Sequence, residues 1–279
     1  MLYDPSQGGA TSLGGGATQP AAGSVPAVVR YEDGVWRPLD GEIVTEALVR
    51  LHVNGQELAG LMCSPVELDL LALGFLRSEG IIGGLADVRL LKVCPSAACV
   101  DVWLRRADFV PPGRWIITSG CGGGVTFGDL TGSAGPLVSD VRVTVGQLGR
   151  LMSALLAARR TRGGHAAGLA EGSTLLAVAE DVGRHNAIDK LWGRCLVDNI
   201  ATRDRILLST GRISSEMLGK AARMAAPVVA SHTSPTTLSV ALANAWGVTL
   251  AGYVRRGSLS LYAGRERVSD TEEAMDAHS

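Results

Sequence analysis

Leu175-Leu176-Ala177-Val178-Ala179-Glu180-Asp181-Val182-Gly183-Arg184-His185-Asn186-Ala187-Ile188-Asp189-Lys190 reads as an apolar strand, a polar turn and the opening of a helix. An unbroken apolar run of this length suits a strand covered on both faces. Beyond Gly183 the period changes. Ile188, Leu191 and Cys195 fall along one side of a helix over Arg184 to Val197. The alternation then continues. Ile206 to Ser209 is a strand, and Ser214 to Met224 a helix with Glu216 and Lys220 at the favourable i,i+4 spacing. Val228 to Ala230 is a strand, Ser234-Pro235 opens a helix to about Trp246, and Val248 to Tyr253 and Leu259 to Tyr262 are strands. Strands alternating with helices predict an α/β layer whose helices cover a substantially parallel sheet.

Upstream, Thr144 and Gln147 form a capping box ahead of a helix over Val145 to Arg160, with Leu148, Leu151, Met152 and Leu155 on one face. A loop follows over Thr161 to His165. The region before residue 118 is strand-rich. Asp33-Gly34 and Asn54-Gly55 each mark a hairpin turn. Ser64, Pro65 and Glu67 predict a capped helix start, with Leu68, Leu71, Phe75 and Leu76 inward and Gly80 at the end. Asp87 to Val93 and Val100 to Leu104 read as strands. The expected organisation is a disordered Gly/Ala/Ser-rich tail over 1–27, a strand-rich region over 28–117, a flexible loop over 118–143, an α/β domain over 144–268 and an acidic tail over 269–279.

Of the 279 residues, 46% are hydrophobic and 19% charged, which predicts a packed globular protein. The net charge of −1 argues against a general nucleic-acid binder. The tail carries no basic cluster ahead of an apolar core, so it does not read as a signal peptide. No apolar run reaches the ~18 residues of a membrane span. Five cysteines, at 63, 94, 99, 121 and 195, are an odd set in a chain large enough to fold without disulfide staples, which points to a reducing cytoplasm. Cys94 and Cys99 have the look of a metal or redox pair, but no second pair and no histidine close by in sequence completes a zinc set.

Two features carry chemistry. Cys121 sits in Thr118-Ser119-Gly120-Cys121-Gly122-Gly123-Gly124, where glycines leave the thiol without neighbouring side chains to bury it. An accessible thiol on such a tether suits attack on, or transfer to, another molecule. The second feature is a set of polar clusters after successive strands: Glu180 to Asn186, Thr210-Gly211-Arg212, Ser231 to Pro235, and Arg255-Arg256-Gly257. Ligands of such sheets bind at the carboxyl ends of strands, and arginines beside helix N-termini suit phosphate groups. His165 or His185, oriented by Asp181, is a candidate base for Cys121 in a cysteine hydrolase. No Walker loop, no G-x-G-x-x-G after a strand and no zinc-deaminase pattern is present.

The run from Ala179 to Lys190 resembles the signature of the formate dehydrogenase accessory sulfurtransferase family (FdhD). Gly74-Phe75-Leu76 with Ser78-Glu79-Gly80-Ile81-Ile82, Gly164-His165-Ala166-Ala167, Gly211 to Met217 with Lys220, Ser234-Pro235-Thr236, and Thr249-Leu250 with Gly252 to Arg255 resemble further blocks of it. The resemblance spans about residues 28–268. It implies a cytidine-deaminase-like α/β domain without zinc chemistry, and a homodimer. It implies that Cys121 takes a sulfur atom as a persulfide from a cysteine desulfurase. The sulfur then passes to the molybdenum or tungsten bis(molybdopterin guanine dinucleotide) cofactor, bound as cargo, that formate dehydrogenase receives. The cofactor-binding stretch implied is Tyr253, Val254, Arg255, Arg256, Gly257 and Ser258. The family often carries Cys-x-x-Cys in its loop, whereas here Gly124 stands at the second position. Cys63, Cys94 and Cys99 are the candidates to replace that thiol. The alternative reading is a cofactor-binding insertion chaperone in which Cys121 is dispensable.

Overall fold

The computed structural model describes residues 28–38, 43–112, 116–117, 125–126, 135–161 and 163–270. The expected tail over 1–27, all but the first two residues of the expected tail over 269–279, and Cys121 itself lie outside the described residues.

Strands β1 (Val29–Glu32) and β2 (Val35–Pro38) pair as an isolated hairpin, turning on Asp33 and Gly34 with positive φ. Strands β3 (Ala47–Val53), β4 (Gln56–Cys63), β5 (Val88–Val93) and β6 (Cys99–Leu104) form a sheet in the order β4-β3-β6-β5. Val49, Leu51, Val53, Val100, Val102 and Leu104 point inward onto helix α1 (Leu68–Ser78), which returns Leu68, Leu71, Ala72, Phe75 and Leu76 to the same core.

The expected cap of that helix is not made. Glu67 stands at the N-cap with φ 53° and no side-chain cap bond. A missing cap costs about 1 kcal/mol. Four large side chains buried at about 1.5–3 kcal/mol each outweigh it. Ser64 is used elsewhere, as described below.

A short pair, β7 (Ile116–Ile117) with β8 (Val125–Thr126), brackets residues 118–124. Strand β9 (Val143–Thr144) leads into α2 (Val145–Ala158), and here the Thr144–Gln147 capping box forms as expected. Then come β10 (His165–Glu171), β11 (Thr174–Asp181), α3 (Arg184–Val197), β12 (Ile206–Ser209), α4 (Ser215–Arg223), β13 (Val228–Ser231), α5 (Thr237–Trp246), β14 (Thr249–Arg255) and β15 (Ser258–Ala263). β16 (Val268–Ser269) closes beside β9.

The six-stranded sheet runs β11-β10-β12-β13-β14-β15. It is mixed, not substantially parallel. Only β12-β13-β14 are parallel, and both flanks are antiparallel hairpins. The sequence predicts no strand over β10, only a loop over Thr161 to His165 ahead of it. Its small-residue run, Ala166-Ala167-Gly168-Leu169-Ala170, has little periodicity to announce it. The last helix begins at Thr237, capped by Thr236, because Pro235 pairs with Ile213.

Helix α2 covers one face of the sheet, with Leu148, Leu151, Met152 and Leu155 against Ile206, Leu208, Val228 and Ala230. Helices α3, α4 and α5 cover the other, with Ile188, Leu191, Met217 and Trp246 against Leu169, Leu207, Val229 and Leu250. Both faces are therefore dry, which explains why β12 and β13 are buried throughout.

The two sheets are joined through α1 and α3. A Cβ on Gly74 would lie 1.7 Å from the Asp189 carbonyl oxygen, and one on Gly193 would lie 2.0 Å from that of Leu70. The helices therefore touch backbone to backbone. Beside this crossing, Lys190 and Asp181 form a fully buried ion pair at 2.6 Å. Lys190 also donates to the Ser64 carbonyl, and the Ser64 amide donates to Asp181. The Glu216–Lys220 pair expected from spacing does not form. Lys220 instead holds Asp189, at 2.5 Å, inside the core.

Cys94 and Cys99 are joined as a disulfide across the β5–β6 turn, against the expectation of an unstapled chain. The hairpin brings them together: the Cys94 amide donates to the Cys99 carbonyl at 2.9 Å, and the Cα atoms are 5.3 Å apart.

Candidate functional site at the carboxyl ends of the central strands

The sequence clusters do meet at one rim of the large sheet. Strand β12 ends in Ser209-Thr210-Gly211. A Cβ on Gly211 would lie 2.7 Å from Arg184 Cβ and 3.2 Å from His165 Nδ1. Only glycine lets Arg184, at the start of α3, and His165, at the start of β10, close over the strand end. The Thr210 hydroxyl accepts from the Ala166 amide, and the Thr210 amide donates back to the Ala166 carbonyl. His165 is half-buried. Burial, then Arg184 and Arg159, holds its pKa below the ordinary histidine value.

Strand β13 ends in Ser231-His232-Thr233. Arg255 donates from Nη1 to His232 Nδ1 and to the His232 carbonyl, both at 2.7 Å. Desolvation, then Arg255, lowers the His232 pKa, and Arg159 adds to this. Arg159 Nη2 donates to the Gly164 carbonyl at 2.9 Å, directly before His165, and its charge acts on both His165 and His232. In the sequence, Arg159 falls at the tail of the helix predicted over Val145 to Arg160. Its position directly before the loop to His165 was the available signal.

The stretch Tyr253 to Ser258 lies at the β14–β15 end of this rim. Strand β14 carries a register shift between Gly252 and Arg255. Tyr253 adopts φ 50° there, its amide donating to the Thr233 carbonyl. This bulge turns the Tyr253 ring outward, 49% exposed. Arg255, Arg256, Gly257 and Ser258 are exposed, with Gly257 at φ +75° in the turn. Val254 is wholly buried in the α2 core and offers a ligand only its backbone.

The hydrolase arrangement is not assembled among the described residues. The Asp181 carboxylate accepts from Ser64, Gly183, Asn186 and Lys190 and orients no histidine. His185 Nε2 faces Glu216 Oε2 and Ser214 Oγ, each at 3.3 Å. Glu216 accepts only, so Nε2 carries the proton. Ser214 donates to Glu216 at 2.9 Å and caps α4. Burial holds His185 below the ordinary value despite Glu216. His185 therefore braces the rim from inside.

The candidates for the thiol missing at Gly124 differ in accessibility. Cys63 and Cys195 are buried, and burial pushes both thiols up to about 12. Cys94 and Cys99 are tied to each other.

Fold and rim together define an α/β protein with a basic, partly aromatic edge at the carboxyl ends of its parallel strands. A family model described as the FdhD/NarQ family matches residues 44–269. Proteins named sulfur carrier protein FdhD, from Staphylococcus aureus strains MRSA252 and bovine RF122 / ET3-1, are each 36% identical over 255 residues, covering 88% of this chain and 96% of the relative. A crystal structure described as that of a formate dehydrogenase accessory protein from Desulfotalea psychrophila matches with a TM-score of 0.73 at 26% identity, over 88% of this chain and 98% of that one. The chain belongs to the FdhD/NarQ family.

Proposed function

We propose that this protein is a cytoplasmic sulfur carrier that serves the maturation of formate dehydrogenase. The observation that carries the reading is its likeness, over most of its length, to relatives named sulfur carrier protein. Cys121 is the carrier. Its thiolate attacks the outer sulfur of a persulfide on a cysteine desulfurase. A new S–S bond forms, the donor's S–S bond breaks, and the donor cysteine leaves as thiolate. The cargo, molybdenum or tungsten bis(molybdopterin guanine dinucleotide), then takes the outer sulfur: the Cys121 S–S bond breaks, the cargo's reduced metal centre supplies the two electrons that make the sulfur a sulfido ligand, and Cys121 returns as thiolate.

The cargo's phosphates suit Arg255 and Arg256, and its guanine suits the outward ring of Tyr253. Gly257 and Ser258 offer turn amides. A homodimer and a cytidine-deaminase-like α/β unit belong to the same reading. The glycines around Cys121 provide the reach that two successive partners demand. With Gly124 beside it, Cys121 works alone, and the acceptor performs the attack that a second loop cysteine would make.

The test replaces Cys121 with alanine. The variant is expected to fold, to lose the one-sulfur mass gain that the parent shows after incubation with desulfurase and cysteine, and to restore no formate dehydrogenase activity in a strain lacking the gene. Full restoration would overturn the carrier role and leave the insertion chaperone.

A further inference from the structure

The outer face of the four-stranded sheet carries a second sulfur site. Strand β6 alternates, with Val100, Val102 and Leu104 inward and Cys99, Asp101 and Trp103 outward. Parallel pairing sets His52 of β3 beside Asp101, and the β5–β6 turn returns Cys94 to Cys99. Cys94 Sγ, Cys99 Sγ and an Asp101 carboxylate oxygen all lie within 4.8 Å of one another. His52 Nδ1 is 3.3 Å from Asp101 Oδ1, shielded from solvent, and makes no hydrogen bond. The cysteines are partly exposed.

Once the disulfide is reduced, two thiols and a carboxylate oxygen lie close enough together to share one cation. Two sulfurs with one oxygen and an imidazole alongside is a donor set that selects a thiophilic, tetrahedral divalent ion. We propose that reduced Cys94 and Cys99, with Asp101, bind one zinc ion, and that His52 holds the carboxylate in place. Zinc and the disulfide are alternative occupants of this corner. A small disulfide such as oxidised glutathione converts one to the other. One cysteine thiolate attacks it and releases a glutathione thiolate. The second cysteine then attacks the mixed disulfide at the protein sulfur and releases the other. The Cys94–Cys99 bond forms, two electrons pass to glutathione, and the ion leaves unchanged to solvent. The corner stands apart from the strand-end rim, and the proposal is independent of the role of Cys121.

Cobalt(II) titration of the full chain, reduced with a phosphine, tests this. One equivalent is expected to bring up the near-ultraviolet sulfur-to-cobalt charge-transfer band, to be displaced by zinc, and to vanish on adding oxidised glutathione. The band should persist in Cys121→Ser. Cys99→Ser should abolish it while leaving the circular dichroism spectrum unchanged. His52→Gln should weaken affinity by about tenfold, as for a residue behind a ligand. Should Cys99→Ser misfold, Asp101→Asn serves instead, with a loss of about tenfold or more. No band in the reduced, folded chain, or a band kept in Cys99→Ser or lost in Cys121→Ser, would overturn the site.

Discussion

His185 shows how one buried side chain ties the rim to acidity. It is 8% exposed, between Ser214 and Glu216 at the starts of α3 and α4. Burial lowers its folded pKa below the ordinary 6.5. In the unfolded chain it takes up a proton near that ordinary value, so acid favours unfolding. Its stabilising contribution is complete above about pH 6.5 and is lost as pH falls from there toward the folded value. Each pH unit inside that window costs up to about 1.4 kcal/mol per group. His165 and His232 are depressed in the same direction. Thermal melts are therefore expected to fall between about pH 7 and pH 5, and His185→Gln should flatten that fall. An unchanged slope in the variant would show that His185 titrates alike in both states.

At the scale of elements, the α1–α3 crossing reverses an ordinary preference. Glycine to alanine inside a helix normally gains about 1 kcal/mol. At Gly193 the new Cβ would stand 2.0 Å from the Leu70 oxygen, and overpacking against backbone costs about 1–3 kcal/mol or more. Gly193→Ala should lower the melting temperature. Gly146→Ala in α2, whose Cβ would meet no backbone but Arg150 Nη1 at 3.3 Å and Thr144 Oγ1 at 3.9 Å, should leave it level or raise it. Differential scanning calorimetry of the two variants decides the sign.

The sequence announced α3 and β12 to the residue, because Gly183 and the apolar runs are local signals. It did not announce the sheet's handed mix. Parallel and antiparallel neighbours differ in pairing across the fold, and β10 has too few large residues to show a period. Ser64 and Glu67 matched a capping box by type, yet Ser64 faces Asp181 across 117 positions of chain, a partner no local pattern can supply. The cationic rim was legible as clusters after strands. Cys94 and Cys99 were legible as a pair, but that they close a disulfide depends on the β5–β6 hairpin that brings them together.

For the whole molecule, the long block from Ala179 to Lys190 divides its labour. Asp181, Asn186, Asp189 and Lys190 wire the two sheets together, while Arg184 and His185 serve the rim. The binding stretch proposed above, Tyr253 to Ser258, comes from the far end of the chain. Replacing Arg255 and Arg256 together by alanine is expected to weaken guanosine diphosphate binding by tenfold or more in calorimetry, given about 1.5–3 kcal/mol for a charge-assisted hydrogen bond. Equal affinity would move the phosphates elsewhere. The two glycines at the helix crossing carry a broader consequence. Because α1 and α3 share a backbone surface with Lys190 sealed behind it, neither sheet is a module that can be borrowed. Recombining the large sheet with a foreign amino-terminal half would take from Lys190 and Asp181 their bonds to Ser64 and open a groove shaped for one particular helix. A working exchange of either sheet therefore has to carry α1 and α3 together.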